Sequence, residues 1–416
     1  MVPCSSFNKT LSGRRIISIF LLFAVIISWS SCSRRKKEVA PADVRNCIDL
    51  RFPSKKEEAS IRREINADLK SRRLDSLFRE KARLRGFNGA VLIAQRGVII
   101  YKNAFGYTGP DRKTPLTTDH IFQLASVSKT FTAIATLMLA ERKALSLDDS
   151  VQKFFRDFPY HGIRIKDLLS HRSGLPNYIY AFDEWRNTVT VPPTNSTIMR
   201  WFAVSSPPPV PYNLPDVAFS YNNTNYIILA SIIAKVSGKT YAEFLKTEIF
   251  EPLGMVHTFV DTLCPVSLKA LKTFGHDYNR RRDRDFFDGV YGDKGIYSTV
   301  DDMMRWYMAL SSHCLLSRHL LKEAFTPRSL EHRSRHNYGY GFRLITDPGN
   351  MNKVEYVYHG GWWAGYSSMI LFDLRDDYVV IVLSNRKNTS VYENKNVMDI
   401  LDDKPTDENE EEIDSI

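Results

Sequence analysis

The runs that most constrain this chain lie at its two ends. Gly89-Ala90-Val91-Leu92-Ile93-Ala94 and Val98-Ile99-Ile100-Tyr101 flank Arg96-Gly97, which predicts a β-hairpin. Far downstream, residues 354–359, 366–373 and 378–384 form three more strand-like runs divided by turn residues. An isolated hairpin is marginal in water. These five runs are therefore expected to meet in one sheet whose strands are split in sequence. The chain between them, to about Asp288, is mostly helical and loop-rich, with a Pro-rich stretch from Val204 to Pro215. Ile61, Ile65, Leu69, Leu74 and Leu77 give residues 55–84 helical spacing. Residues 130–142 read as a strongly apolar helix and 394–401 as a short final one. No internal repeat is found.

Charge is unevenly spread over the 416 residues. The net value is +10, yet residues 1–86 carry 20 Lys/Arg against 9 Asp/Glu, and residues 401–416 carry one Lys against eight acids. The middle is mildly basic without dense cationic runs, so no nucleic-acid partner is expected. The first segment reads as targeting. Arg14 and Arg15 precede a 14-residue apolar run, Ile16 to Trp29, shorter than the roughly 20 residues a membrane span needs. It fits the core of a secretory signal. Small residues before Cys32 resemble the cleavage box of bacterial lipoproteins, in which that cysteine is lipidated. The alternatives are an uncleaved signal anchor and a cleaved soluble form. All three put the remainder outside the cytoplasm. The expected location is a bacterial cell envelope, with a membrane-anchored lipoprotein facing the periplasm.

Of the five cysteines, Cys47, Cys264 and Cys314 remain, an odd set without CxxC spacing. They are read as isolated thiols, forming neither a disulfide scaffold nor a zinc site. Histidine spacing offers no HExxH pattern, and neither metal nor cofactor is expected. The chain then divides into a signal or lipoprotein segment (1–32), a tether (33–60), one domain (61–402) and an acidic, disordered tail (403–416). Within the domain, the sheet part covers about 61–135 and 290–402, and the helical insertion about 136–289.

The candidate nucleophile is Ser126, in Ser126-Val127-Ser128-Lys129. Three residues along a helix return to the same face, which brings Lys129 beside the Ser126 hydroxyl. A helix start also offers free N–H groups and the positive end of the helix dipole to a developing oxyanion. Ser-x-x-Lys also starts at Ser6, Ser33, Ser150 and Ser384, and Ser150 is the serious decoy because it opens an amphipathic segment. Order strengthens Ser126. Tyr221-Asn222-Asn223 follows it, and His359-Gly360-Gly361 comes later, at the end of a strand-like run. His171 is read as fixing a loop by hydrogen bonds.

With these landmarks the chain resembles the serine β-lactamase and penicillin-binding protein family, in the class C-like branch that includes carboxypeptidases and esterases. The supporting stretches are 122–130 around Ser126, 167–176 around His171, 219–223 around Tyr221, Gly292-Asp293-Lys294-Gly295-Ile296-Tyr297-Ser298-Thr299, and Tyr358-His359-Gly360-Gly361-Trp362. Roughly residues 66–400 are covered. The resemblance implies an α+β fold (an α/β sandwich), with an antiparallel sheet flanked by N- and C-terminal helices and an inserted, mostly helical domain. It also implies a covalent acyl-enzyme on Ser126. Lys129 and Tyr221 would share the base role, and Asn223 would face the substrate or orient Lys129. The N–H groups of Ser126 and Trp362 would form an oxyanion hole beside His359 and Gly361. The implied partner is a small-molecule or peptide substrate, peptidoglycan-like or an ester.

Two departures matter. His359 stands where β-lactamases of this branch usually carry Lys, and His is mostly neutral at pH 7. Trp362 and Trp363 put bulky rings beside the pocket, which suits apolar or peptide-like acyl groups. Pro215-Asp216 also replaces the usual Pro-Gly before the tyrosine motif. The favoured expectation is a serine hydrolase acting on D-Ala-type peptide bonds or esters. A true β-lactamase is the second reading, and a non-catalytic penicillin-binding or scaffold protein the third.

Overall fold

A computed structural model describes Cys47, Leu50 and residues 52–182, 191–277, 280–282, 285–329, 331, 334–373 and 375–404. The signal segment with Cys32, the tether up to residue 46 and the tail from 405 lie outside the described residues.

The first hairpin joins β1 (Gly89–Gln95) to β2 (Val98–Phe105). Its two connecting residues, Arg96 and Gly97, both take positive φ, +53° and +75°. That is the geometry of a type I′ turn, whose twist matches the strands it joins. Short strands follow: β3 (Phe122–Gln123), β4 (Phe259–Val260), β5 (His276–Asp277), β6 (Arg280–Arg281) and β7 (Ile296–Ser298). The last five are β8 (His336–Tyr338), β9 (Arg343–Asp347), β10 (Asn350–Trp363), β11 (Tyr366–Asp373) and β12 (Tyr378–Ser384). The main sheet is seven-stranded in the order β2-β1-β12-β11-β10-β9-β8, with every pair antiparallel. Pairing of β1 with β12 joins the two ends of the chain, Gly89 opposite Ser384. The split sheet expected from the sequence is therefore present.

The sheet is buried on both faces, which is why β1 and β12 are apolar almost throughout and β11 is fully buried. Alternation assigns each residue to a face. Val91 and Ile93 pack with Leu74 and Phe78 of a helix at Ala67–Leu84 and with Val397 and Ile400 of the helix at Lys395–Leu401. Ala90, Leu92 and Ala94 join the larger core, with Phe131 and Trp306 stacked at 4.0 Å between centroids. This two-sided packing forms the α+β sandwich.

The expected elements are refined in three places. Ser54 and Glu57 form a capping box, so a helix opens at Lys55, inside the span assigned to the tether. Residues 55–84 are two helices, because Asn66 takes a left-handed conformation, φ +53°, between Lys55–Glu64 and Ala67–Leu84. The mostly helical insertion also carries β4, which pairs with β7 beyond it, and the β5–β6 pair. Cys47 and Cys314 are not isolated thiols. They form a disulfide with Cα atoms 5.5 Å apart across a sequence separation of 267, a proximity that only the tertiary fold creates. Cys264 is free. Among the described residues no helix is long and apolar enough to cross a membrane.

Candidate active site

Ser126 lies in one turn of 3-10 helix, Ala125–Val127, which runs into the helix Ser128–Glu141. Ala125 has φ +47°, a conformation that non-glycine residues rarely take and that recurs where local strain serves a site. Lys129 is one turn on and fully buried. Its ammonium donates to Ser126 Oγ at 3.0 Å and to the Asp293 carbonyl at 3.0 Å. The Ser126 N–H has no acceptor among the described residues. The decoy separates cleanly: Ser150 precedes the short helix Val151–Phe154, and Lys153 is exposed and paired with Asp149 at 2.7 Å.

Tyr221 precedes the helix Asn223–Ser237, and its ring centroid lies 4.9 Å from Lys129 Nζ. His171 holds the approach to it. The His171 carbonyl accepts from Ser220 N–H at 2.9 Å, and Nδ1 accepts from Asn222 N–H at 3.1 Å. Its ring packs 4.4 Å from that of Tyr221, centroid to centroid. The loop-fixing role read from the sequence matches these contacts. Asp216, where a glycine was usual, takes φ +64°, so it keeps the glycine's backbone region. Arg172 Nε at 2.8 Å and an Arg164 guanidinium nitrogen at 3.0 Å hold its carboxylate there. Asn223 opens its helix, but Lys129 donates instead to Ser126 and to the Asp293 carbonyl, which takes over the orienting contact expected of Asn223.

The third motif is not a turn. His359, Gly360, Gly361, Trp362 and Trp363 all continue β10, paired with β11. A Cβ on Gly361 would sit 2.4 Å from the Leu124 carbonyl and 2.9 Å from Ser126 N, so only glycine lets this strand pass the nucleophile. His359 is fully buried and its ring centroid is 6.2 Å from that of Tyr221. Nδ1 lies 2.7 Å from the Gly360 carbonyl and Nε2 3.1 Å from the Tyr338 hydroxyl. That pattern fits a neutral ring that donates from Nδ1 and accepts at Nε2. Burial, then the charges of Arg343 and Lys129, hold its pKa well below the usual histidine value. Trp362 is 43% exposed, with Lys387 Nζ 4.4 Å from its ring centroid, so it is a surface feature of the site rather than core.

Sequence reasoning missed Arg343. Its guanidinium carbon lies 5.2 Å from the Tyr221 ring centroid, and the groups that act on its charge are the phenols of Tyr358, Tyr221 and Tyr338. Positive charge near Tyr221 therefore comes from Lys129 and Arg343, not from His359. One arginine on a strand gives no motif to detect. Asp293, Lys294 and Tyr178 meet beside Lys129, an arrangement that the spacing within 292–299 does not reveal. Among the described residues no group of His, Cys, Asp or Glu has the makings of a metal site.

Comparison with known proteins agrees with this geometry. The Beta-lactamase family model matches residues 74–402. Penicillin-binding protein 4* of Bacillus subtilis (strain 168) is 33% identical over 341 residues, 78% of this chain and 74% of that protein. The structure of the octameric penicillin-binding protein homologue from Pyrococcus abyssi is similar with a TM-score of 0.67 and 27% identity, over 80% of this chain and 77% of that one. FmtA from Staphylococcus aureus, 23% identical over 82% of this chain and 90% of its own, shares the fold with a TM-score of 0.67. A serine and a lysine in contact at the start of a buried helix that packs against this sheet, together with a family match over this length of sequence, mean that the chain belongs to the Beta-lactamase family of penicillin-binding-protein-like serine hydrolases.

Proposed function

We propose that this chain is a serine hydrolase of the cell envelope that forms a covalent acyl-enzyme on Ser126 and cleaves D-Ala-type peptide bonds or esters. The observation that carries the reading is the 3.0 Å contact between Lys129 Nζ and Ser126 Oγ, made by a fully buried lysine. Ser126 Oγ attacks the carbonyl carbon while its proton passes to the Lys129–Tyr221 pair. The same proton then goes to the departing amine or alkoxide. The tetrahedral oxyanion accepts hydrogen bonds from the N–H groups of Ser126 and Trp362, and one such donor is typically worth about 10²–10³ in rate. Asn223, His359 and Gly361 line the substrate side. Water then hydrolyses the Ser126 ester and restores the hydroxyl.

The neutral, buried His359 favours a peptidase or esterase over a β-lactamase, because the fixed cation usual at that position is missing. A substrate panel separates the readings: short p-nitrophenyl esters, peptides ending in D-Ala-D-Ala, and a chromogenic cephalosporin. Turnover of an ester or peptide with slow cephalosporin hydrolysis is the expected result. Rapid cephalosporin turnover alone would make the enzyme a β-lactamase.

The proposed location is the periplasmic side of a bacterial membrane, through lipid on Cys32, with an uncleaved anchor as the alternative. The Cys47–Cys314 disulfide supports an oxidising compartment. Labelling by radioactive palmitate that disappears in Cys32→Ala is the expected outcome, and unchanged labelling would contradict lipidation there.

A further inference from the structure

Lys294 is a buried cation that the reaction outlined above does not use. Its ammonium donates to the Tyr178 hydroxyl at 2.6 Å and lies 3.3 and 3.4 Å from the two carboxylate oxygens of Asp293. Tyr178 in turn donates to Asp293 Oδ2 at 2.9 Å. The phenol thus bridges a buried ion pair, accepting from one partner and donating to the other. All three side chains are almost completely shielded from solvent. Desolvation lowers the Lys294 pKa and Asp293 opposes that shift. A buried pair of this kind is weak evidence for stability, since apolar replacements often hold a fold as well. What it does supply is a tightly defined geometry.

That geometry reaches both halves of the reaction centre. The main-chain carbonyl of Asp293 is the second acceptor of the Lys129 ammonium, at 3.0 Å. Lys294 Nζ also lies 4.6 Å from the ring centroid of Trp363, the residue after Trp362 on β10. The Trp363 indole is also held at its edge, with Nε1 donating to Asp288 Oδ1 at 2.8 Å. Gly292 leaves no alternative path for the loop: its φ is +108°, and an added Cβ would lie 2.3 Å from the Tyr226 carbonyl.

We propose that Lys294 is a positioning residue. Through the Asp293 carboxylate and the Trp363 ring, it sets the carbonyl that aims Lys129 and the strand end that carries the oxyanion donor. The inference rests on the reading of Ser126 as nucleophile and Lys129 as base. A displacement of about 1 Å in such a group is enough to lower a rate about 10²-fold.

The test is the kinetics of Ser126 modification by a fluorophosphonate probe, which separates the maximal rate of modification from the affinity of the probe. The informative variant is Asp293→Asn with Lys294→Met, because it removes both charges and strands neither. It is expected to keep a melting temperature near that of the unsubstituted protein. Its maximal modification rate should fall at least about tenfold with unchanged probe affinity. Tyr178→Phe, which removes a single oxygen, should lower the same rate by a smaller factor and carries the test if the double variant does not fold. An unchanged maximal rate in the folded double variant, or in Tyr178→Phe alone if the double variant fails, overturns the proposal. Absence of any adduct on Ser126 in the unsubstituted protein is a separate result, which removes the underlying reading and the inference with it.

Discussion

His171 and His359 are fully buried beside cations, and this sets how the protein responds to acid. Burial is the main cause in both, with Lys129 and Arg343 adding to it, and both imidazoles are held well below their usual pKa. The unfolded chain binds these two protons near pH 6.5 while the folded protein refuses them. The contribution of these two histidines to stability is therefore full above about pH 6.5 and declines as pH falls below it, by up to about 1.4 kcal/mol per pH unit for each. Denaturant midpoints measured from pH 7.5 to 5 should show that decline, and His359→Asn should make it shallower. An identical slope in the variant would place the acid sensitivity elsewhere. At this scale the sequence was only partly readable. Ser126 and Lys129 could be found because one helical turn separates them. Arg343 and Lys294 could not, because Tyr221, Tyr178 and Trp363, which they meet, come from distant strands and loops.

Strand β10 is the element on which the site depends. Its two glycines suggested a strand ending at His359, since Gly-Gly usually marks a turn. The strand instead continues to Trp363: Gly361 is needed where it crosses Leu124 and Ser126, and a Cβ on Gly360 would press on the Tyr392 ring. Spacing cannot distinguish a glycine that bends the chain from one that admits a neighbour. The hairpin at Arg96-Gly97 was legible for the opposite reason, as its turn type is encoded locally. Gly361→Ala tests the close approach. A methyl group there meets the Leu124 carbonyl, Ser368 Oγ and Ser126 N, so strand or serine turn must shift. Overpacking of this kind costs about 1–3 kcal/mol. The variant should lose at least about tenfold in Ser126 reactivity through the misaligned oxyanion donors. Full reactivity, followed by probe labelling and thermal melting, would show that the strand is not confined as described.

At the scale of the whole molecule, the sheet closes the chain on itself and a disulfide adds a second long-range tie, with Cys47 buried in the main core. Cys47 is joined to Cys314, just beyond the helix Val300–Ser311. This pairing is not legible in the sequence, because an odd number of cysteines without short spacing gives no pairing rule. A cross-link over so long a loop typically stabilises by about 2–4 kcal/mol, chiefly by restricting the unfolded chain. Reduction, or Cys47→Ser with Cys314→Ser, should lower the denaturant midpoint accordingly while leaving Ser126 reactivity intact, since neither cysteine touches the site. Loss of reactivity in a folded, reduced protein would tie the disulfide to the catalytic geometry. The most direct measurement for the central claim is intact mass followed by peptide mapping after incubation with penicillin and, separately, with a fluorophosphonate. The account predicts a single adduct on Ser126 with at least one reagent, lost in Ser126→Ala and slowed by several orders of magnitude in Lys129→Ala. An unmodified Ser126 with both reagents, or equal labelling of the Lys129→Ala variant, would contradict it.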